Sequence, residues 1–112
     1  MSKIITAQQF WIQSPGHGEI VNAKLSPRQA GDVLVRAIYS SISRGTESLV
    51  FKGEVPESQY QAMRAPFQEG EFPGPVKYGY SSVGKVQENE EGDDFEGRTV
   101  FCLYPHQDVY HV

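Results

Sequence analysis

The sequence predicts a mainly β protein made of short strands and turns. Its 112 residues include eleven Gly, seven Pro, six Tyr and six Phe, which favours a turn-rich β fold over a helical bundle. Short β-branched and aromatic runs alternate with Gly- and Pro-containing turns along the chain. Regularly spaced short strands are typical of a small barrel or a curled sheet. The length suits one domain with a single core, residues 1–112.

Strand-like segments extend along most of the chain. Val33 to Tyr39 is the strongest of them, because it is β-branched and bounded by turn residues. Gly79 and Gly84 interrupt a later strand-like segment, where glycine often marks a bulge or a close backbone approach. The predicted strands are residues 4–12, 19–25, 33–39, 76–87, 99–104 and 109–112, with turns at 14–18 and 26–32.

A short helix is predicted for residues 56–64. Pro56 beside Glu57 suits a helix N-terminus, and Pro66 must lie beyond its end. Residues 44–49 are predicted to be a loop with room for one helical turn. Residues 65–75 hold three prolines, two glycines and two acids, so we expect a surface loop there.

The charge pattern argues against nucleic acid as the main partner. The net charge is −4, and the ten Lys and Arg residues are scattered without forming a basic stripe. Acidic residues cluster at 88–96, which we predict to be a solvated hairpin loop because the spacing does not match a calcium-binding hand. No apolar run approaches the roughly 20 residues that cross a bilayer, and no signal-peptide core follows Met1. We therefore expect no membrane partner and a cytoplasmic location.

Cysteine and histidine supply few metal ligands. Cys102 is the only cysteine, so an internal disulfide and a multi-cysteine zinc site are excluded, and we expect it to be a small buried hydrophobe. His17, His106 and His111 stand in separate segments without the short spacing of paired ligands. The loop of His106 follows a strand and could border a cleft, but nothing in the sequence selects it as a site residue.

Three segments resemble motifs of the medium-chain dehydrogenase/reductase (alcohol dehydrogenase) family. Residues 31–47 contain Gly-Asp-Val-Leu-Val-Arg and then Ser-Ile-Ser-Arg-Gly-Thr-Glu, similar to the strand and catalytic loop of that family. Residues 75–86 resemble its Gly-His-Glu-x-x-Gly segment, and residues 96–100 resemble its Gly-Asp-Arg-Val turn. The motifs occur in the family's order over nearly the whole chain. The resemblance implies a GroES-like, partly open β-barrel with short helices.

Within this resemblance, the chain looks like a zinc-independent branch. Zinc-binding relatives carry cysteine where Ser43 stands, histidine where Tyr80 stands and glutamate where Ser81 stands. A neutral hydroxyl and a phenol with a pKa of about 10 are poor zinc ligands. The cysteine-rich structural zinc lobe of the family has no counterpart here. We therefore expect no zinc.

Hydroxyl groups are then the candidate catalytic groups. Tyr80 is the first choice, since a phenol can donate a hydrogen bond to a developing oxyanion, although it could equally be a packed aromatic with a hydrated tip. Ser43 and Thr46 are secondary choices, Thr46 standing beside an extra Gly45.

Arg44 matches a position that contacts the cofactor pyrophosphate in some relatives. Bidentate phosphate binding suits arginine. A solvated loop arginine, or an ion pair between Arg44 and Glu47 that fixes the loop, are the alternatives.

The chain lacks the Gly-x-Gly-x-x-Gly turn between strand and helix that binds a dinucleotide. The family places that fold after the segment seen here. We therefore interpret the chain as the N-terminal substrate-domain fragment of a longer NAD(P)-dependent alcohol dehydrogenase-like oxidoreductase, inactive alone. NAD or NADP would be bound mainly by the missing domain. The alternative is a stand-alone β-barrel binding or assembly module, because fold does not fix function.

The expected substrate is a small-molecule alcohol or carbonyl compound. The aromatic segment from Phe51 to Phe72 could form a hydrophobic wall for a bulky substrate, or it could simply cover the core. The pattern is also similar to the bacteriochlorophyllide dehydrogenase branch, whose substrates are large macrocycles. The resemblance also allows a homodimer for the full-length protein.

Overall fold

A computed structural model describes residues 4–87 and 95–112, which form eight strands and one α-helix. The helix α1 is Arg44–Lys52, and a single 3-10 turn covers Glu57–Gln59. The strands are β1 (Thr6–Ser14), β2 (His17–Lys24), β3 (Leu34–Ser40), β4 (Glu69–Gly70), β5 (Val76–Lys77), β6 (Ser82–Val86), β7 (Thr99–Cys102) and β8 (Val109–His111).

The mainly β prediction is confirmed. One antiparallel sheet has the order β2–β1–β5–β4, and the other has the order β7–β6–β3–β8. Within the described ranges these strands do not close into a barrel. Residues 88–94, which hold most of the predicted acidic hairpin loop, lie outside the described residues.

The β1–β2 hairpin confirms the first two predicted strands and the turn between them. Pairing runs from Thr6 opposite Lys24 to Ile12 opposite Gly18. Gly16 supplies the positive φ of 76° in the turn, and its N–H donates to the carbonyl of Phe51 at 2.7 Å. The hairpin turn therefore also binds a backbone carbonyl at the C-terminal end of α1.

Residues 106–108, here called the crossing segment, join the two sheets. On one side, Phe10 N–H donates to the carbonyl of His106 at 3.0 Å, and Asp108 N–H donates to the carbonyl of Gln8 at 3.1 Å. On the other side, Ala37 N–H donates to the carbonyl of Asp108 at 2.7 Å, which extends the β3–β8 pairing. The same short stretch of backbone thus hydrogen bonds to β1 and to β3.

A buried lysine ties the short strands to this segment. Lys77 on β5 is fully buried, and its Nζ donates to the Oε1 of Gln107 at 2.5 Å. The same ammonium forms an ion pair with Glu69 at 2.5 Å and lies 5.4 Å from the ring centroid of Tyr104. Since burial of a lone ammonium is costly, these partners explain how the lysine is accommodated.

Two apolar clusters form the core of the part of the chain that the structure describes. The larger one lies among β1, β5, α1 and the loops that follow α1, and the smaller one lies on the second sheet. The buried members of the larger cluster are Ile12, Val50, Val55, Ala65, Phe72, Val76 and Tyr78, and those of the smaller are Val35, Val86 and Tyr110. The single core expected from the length is therefore divided in two.

The loop predicted for residues 44–49 is wrong, because α1 continues to Lys52. Gly45 and Thr46 are weak helix formers, which is why the sequence favours a loop. Two contacts outweigh that preference. Val50 is buried in the larger cluster, which is a tertiary contact, and locally the Oε2 of Glu47 accepts the N–H of the N-cap residue Ser43 at 2.6 Å. Gly53 then ends the helix in the left-handed conformation at φ 71°.

The helix predicted for residues 56–64 is also wrong beyond one 3-10 turn. Tyr60 and Met63 pack against the larger cluster, and the hydroxyl of Tyr78 donates to the carbonyl of Met63 at 2.6 Å. That carbonyl is satisfied by a side chain, so the segment folds as successive turns over the core.

The strand predicted for residues 76–87 is broken into β5 and β6. Gly79, at φ 139°, lies in the break. A Cβ on Gly84 would lie 2.5 Å from Cγ1 of Val35, so this glycine marks the close approach that was predicted.

Replacing Asp108 tests the crossing segment. The Oδ1 of Asp108 accepts the N–H of Gln8 at 2.8 Å, so Asp108→Ala leaves that donor without its acceptor and should lower the free energy of unfolding by about 0.5–1.5 kcal/mol. Asp108→Asn keeps an oxygen in place and should cost less than about 0.5 kcal/mol. Urea unfolding followed by circular dichroism measures both, and equal losses for the two variants would contradict this role.

Candidate functional site

The two segments that carry the predicted site residues meet at one end of the β3–β6 pair. Ser40 lies opposite Ser82, and beyond this pair Ser41 N–H donates to the carbonyl of Ser81 at 3.0 Å. The Ser41 hydroxyl also donates to the Ser81 hydroxyl at 2.7 Å. Ser43 follows Ser41 by two positions and Tyr80 directly precedes Ser81, so both lie just outside the sheet at the same end.

The N-terminus of α1 holds the other predicted residues. Ser43 is the N-cap residue, but its side chain makes no capping hydrogen bond. Arg44 is exposed at the first helical position, and half-buried Thr46 lies in the first turn. Glu47 binds the N–H of Ser43 and the ring of His106, so the partner expected for Arg44 is engaged elsewhere.

A serine, a histidine and a glutamate form a hydrogen-bonded row beside this helix. The Nε2 of His106 lies 2.5 Å from the Oε1 of Glu47, and the Nδ1 of the same ring lies 2.6 Å from the Oγ of Ser40. The side chains of His106 and Glu47 are only 16% and 10% exposed, whereas Ser40 is exposed. These three residues are called the triad below.

The protonation of the triad follows from its chemistry. An ionised carboxylate accepts hydrogen bonds but cannot donate them, so the proton on the Nε2 of His106 points to Glu47. In the neutral imidazole the Nδ1 is then the acceptor, and the Ser40 hydroxyl donates to it. The arrangement gives Ser40 a base that can receive its proton.

The backbone at Gly79 packs against the ring of His106. A Cβ built on Gly79 would lie 3.0 Å from both Cδ2 and Nε2 of that ring. With a φ of 139°, this position also has a backbone conformation that favours glycine. The glycine thus allows the predicted site segment to approach the imidazole closely.

A cleft of about 430 Å³ borders the triad. Most of its walls are apolar, and Glu47, Ser48, Lys52, Tyr78 and His106 are the polar residues among them. The lining residues are Phe10, Ile12, Ile42, Glu47, Ser48, Val50, Phe51, Lys52, Tyr78 and His106. The size and the mixture of apolar walls with a few polar groups suit a small organic ligand.

The phenol in the cleft wall is Tyr78. Burial, followed by the charges of Tyr80 and Glu47, raises the pKa of Tyr78 to about 12. Its hydroxyl is therefore neutral at physiological pH and donates to the carbonyl of Met63. Tyr80 is half-buried and packs edge-on against Tyr78, with ring centroids 6.1 Å apart, which is the packed-aromatic arrangement considered from the sequence.

The aromatic segment mainly covers the core. Phe72 is buried in the larger cluster, and Tyr60 and Met63 pack against that cluster. Phe67 stacks on Tyr104 with ring centroids 4.9 Å apart. Phe51 alone of the aromatic residues in this segment lines the cleft, among the residues that the structure describes. The arrangement supports a covering loop more than a substrate wall.

A second cavity of about 440 Å³ is polar and lies on the other side of the crossing segment. Lys77, Glu69 and Asp32 line it together with His111. The Nδ1 of His111 is buried with no hydrogen-bond partner in the described part of the chain, and burial lowers the pKa of this histidine.

Ser40 and His106 are the functional candidates that the sequence did not select. They lie 66 positions apart, and Glu47 lies 59 positions from His106, so no short motif links them. The usable signal was the loop position of His106 directly after Pro105, next to a predicted strand.

Comparisons of the chain with protein-family models, curated proteins and solved structures gave no match. In residues 4–87 and 95–112, no three His, Cys, Asp or Glu side chains come together in a way that could hold a metal ion. No helix in these ranges is both long and apolar enough to span a membrane.

Gly79→Ala should destabilise the protein by about 1–3 kcal/mol, since it combines an unfavourable φ with a clash against His106. Gly45→Ala is the matched control, because its Cβ meets nothing within 4 Å and the site is helical. The control should stabilise the protein by up to about 1 kcal/mol. Thermal unfolding distinguishes them, and similar melting temperatures for both variants would contradict the packing described.

Two buried tyrosines, Tyr78 and Tyr110, and half-buried Tyr104 should make stability fall at high pH. Burial raises the pKa of Tyr78 and Tyr104 to about 12 and raises that of Tyr110 further. Because the folded protein holds these protons more tightly than the unfolded chain, the stabilisation is complete below about pH 10 and is lost as pH rises towards 12. Urea midpoints between about pH 9 and 11 should fall, and the fall should be shallower in Tyr104→Phe. Equal slopes for both proteins would argue against this explanation.

Proposed function

We propose that the chain is the substrate domain of a zinc-independent, NAD(P)-dependent alcohol dehydrogenase-like oxidoreductase. The observation that carries the proposal is the pair of hydrogen bonds between Ser41 and Ser81. These hydrogen bonds hold together, at one end of the β3–β6 pair, the two segments that resemble the catalytic motifs of that family. The apolar cleft borders the helix that follows the first of these segments.

The cleft suits an alcohol or carbonyl compound with an apolar body. Ile42 and Phe51 are exposed and line it, so an apolar ligand would remove part of their surface from water. NAD or NADP would be held mainly by a second domain. Exposed Arg44 at the N-terminus of α1 places a guanidinium where helix dipole and charge both favour a pyrophosphate.

Hydroxyl groups would supply the proton that accompanies hydride transfer. Reduction of a carbonyl adds hydride to carbon and a proton to oxygen, and Tyr80, Ser43 and Thr46 carry hydroxyls in the two segments. A phenol or alcohol stabilises the developing oxyanion by donating a hydrogen bond, without the Lewis acid that zinc would provide. From the sequence pattern and the family resemblance alone, we also propose a cytoplasmic enzyme that can form a homodimer.

A binding or assembly module without catalysis is the second candidate, and the exposed apolar residues of the second sheet favour it. Ile38 and Tyr39 on β3 are 58% and 63% exposed, and Phe101 on β7 is 62% exposed. Large apolar side chains exposed together often mark a surface that another domain or chain covers. In the oxidoreductase proposal this surface would contact the cofactor domain.

Kinetics of the full-length gene product test the oxidoreductase proposal. The product should oxidise alcohols with NAD(P)+ after treatment with a strong chelator, and the 112-residue chain alone should show no NAD(P)H oxidation. Tyr80→Phe or Ser43→Ala should lower kcat by about 10²-fold, the loss typical of one hydrogen-bond donor to an oxyanion. Tyr60→Phe, on a ring that packs against the larger cluster and does not line the cleft, is the control for Tyr80→Phe.

Three results would overturn the proposal. They are stoichiometric zinc in elemental analysis, robust turnover by the 112-residue chain alone, and a gene that ends without a dinucleotide-binding fold. The last result would favour the binding module.

A further inference from the structure

We infer that Ser40 is an activated nucleophile that accepts acyl groups from carboxylic esters, with His106 as its general base and Glu47 as the residue that positions the base. The observation behind this inference is the triad, with its two hydrogen bonds of 2.6 and 2.5 Å. It does not depend on hydride transfer, on a cofactor or on a second domain.

The triad has the chemical order that serine activation requires. A serine hydroxyl is a weak nucleophile until a neighbouring base receives its proton. The Nδ1 of His106 is the acceptor facing Ser40, because Glu47 holds the proton of the ring on Nε2. The same carboxylate stabilises the imidazolium that forms when the proton arrives.

The solvent exposure of each triad residue suits its proposed role. Ser40 is exposed at the end of β3 and is open to a substrate. His106 and Glu47 are largely shielded from water, which strengthens the interaction between imidazolium and carboxylate.

The imidazole is also held before any substrate binds. The carbonyl of His106 accepts the N–H of Phe10, and the backbone of Gly79 lies against the ring. Little reorganisation is then needed when Ser40 transfers its proton.

The neighbouring cleft indicates the substrate class. His106 and Glu47 belong both to the triad and to the cleft wall, and Ile42 in that wall lies two positions after Ser40. Ser40 does not line the cleft, so the carbonyl group of an apolar acyl chain in the cleft must extend past the His106 ring to reach the Ser40 hydroxyl. The volume of about 430 Å³ and the contributions of Phe10 and Phe51 suit short or medium apolar acyl groups more than charged ones.

The reaction needs only the ester and water. The Oγ of Ser40 attacks the carbonyl carbon while its proton passes to the Nδ1 of His106. The ester C–O bond then breaks, and the alcohol leaves with the proton from His106. Water, deprotonated by His106, attacks the acyl-Ser40 carbonyl, which releases the carboxylic acid and returns the proton to Ser40.

A purely structural role would use the same hydrogen bonds to join β3, α1 and the crossing segment. The experiment must therefore follow reaction at Ser40 as well as stability. We would incubate the 112-residue chain with p-nitrophenyl butyrate and, separately, with an alkyl fluorophosphonate, and identify the labelled residue by peptide mass spectrometry.

We expect label on Ser40 and saturable ester hydrolysis. Ser40→Ala should reduce hydrolysis to the buffer rate, and His106→Gln should reduce both labelling and hydrolysis by at least about 10²-fold. Glu47→Gln should lower kcat with little change in KM, since it removes the charge that stabilises the imidazolium and leaves the cleft apolar. Ser58→Ala, at an exposed serine in the 3-10 turn, should behave as the unmodified chain.

Hydrolysis that persists in Ser40→Ala, or label spread equally over Ser40 and Ser58, would overturn the inference. Ser40→Ala also removes the hydrogen bond to the Nδ1 of His106, so the melting temperature of that variant is measured beside its activity. A variant that is folded but inactive separates loss of the nucleophile from loss of folding. These outcomes leave the oxidoreductase proposal untouched, because no cofactor takes part.

Discussion

The hydrogen bonding of residues 106–108 to both sheets is the constraint on which the rest of the structure depends. Phe10 and Ala37 donate their N–H groups to successive parts of this segment from opposite sides. Gln107 holds the ammonium of Lys77 and, through its own Nε2, the carbonyl of Val109. Without this segment, two small sheets with separate apolar clusters would have few backbone bonds in common. Each such hydrogen bond contributes about 0.5–1.5 kcal/mol to the free energy of unfolding. Several of them within one short segment therefore stabilise the association of the two sheets.

The candidate site follows from the same constraint. His106 lies within the crossing segment, so the bonds that join the sheets also set the position of its imidazole. Ser40 comes from the end of β3 and Glu47 from the first turns of α1, and each reaches the ring from its own element. The triad can therefore form only when both sheets and the helix are assembled. A ring held by tertiary contacts on several sides is well suited to proton transfer, because its geometry is fixed before reaction.

The sequence predicted the strands better than the site. The β-branched run from Val33 to Tyr39 carries its signal locally, and β3 forms there as Leu34–Ser40. The helix α1 was missed because the burial of Val50 is a tertiary effect that outweighs weak local propensity. The bond from the N–H of Ser43 to Glu47, four positions later, is a local capping signal that the prediction did not use. The two segments that resemble dehydrogenase motifs meet through Ser41 and Ser81, while the enzyme family and the site residues stay predictions. The triad could not be predicted from the sequence, because His106 is far along the chain from Ser40 and Glu47.

Amide hydrogen exchange measured by NMR tests the central claim most directly. The informative amides are those of Phe10, Ala37 and Asp108, whose acceptors lie in or across the crossing segment. If the segment joins the sheets, these three amides should be protected as strongly as those inside β1 and β3, and all should exchange through one common unfolding event. The contradicting result is that these three amides exchange at unprotected rates while the β1–β2 and β3–β6 amides stay protected. It would show that each sheet is stable without the hydrogen bonds of the crossing segment.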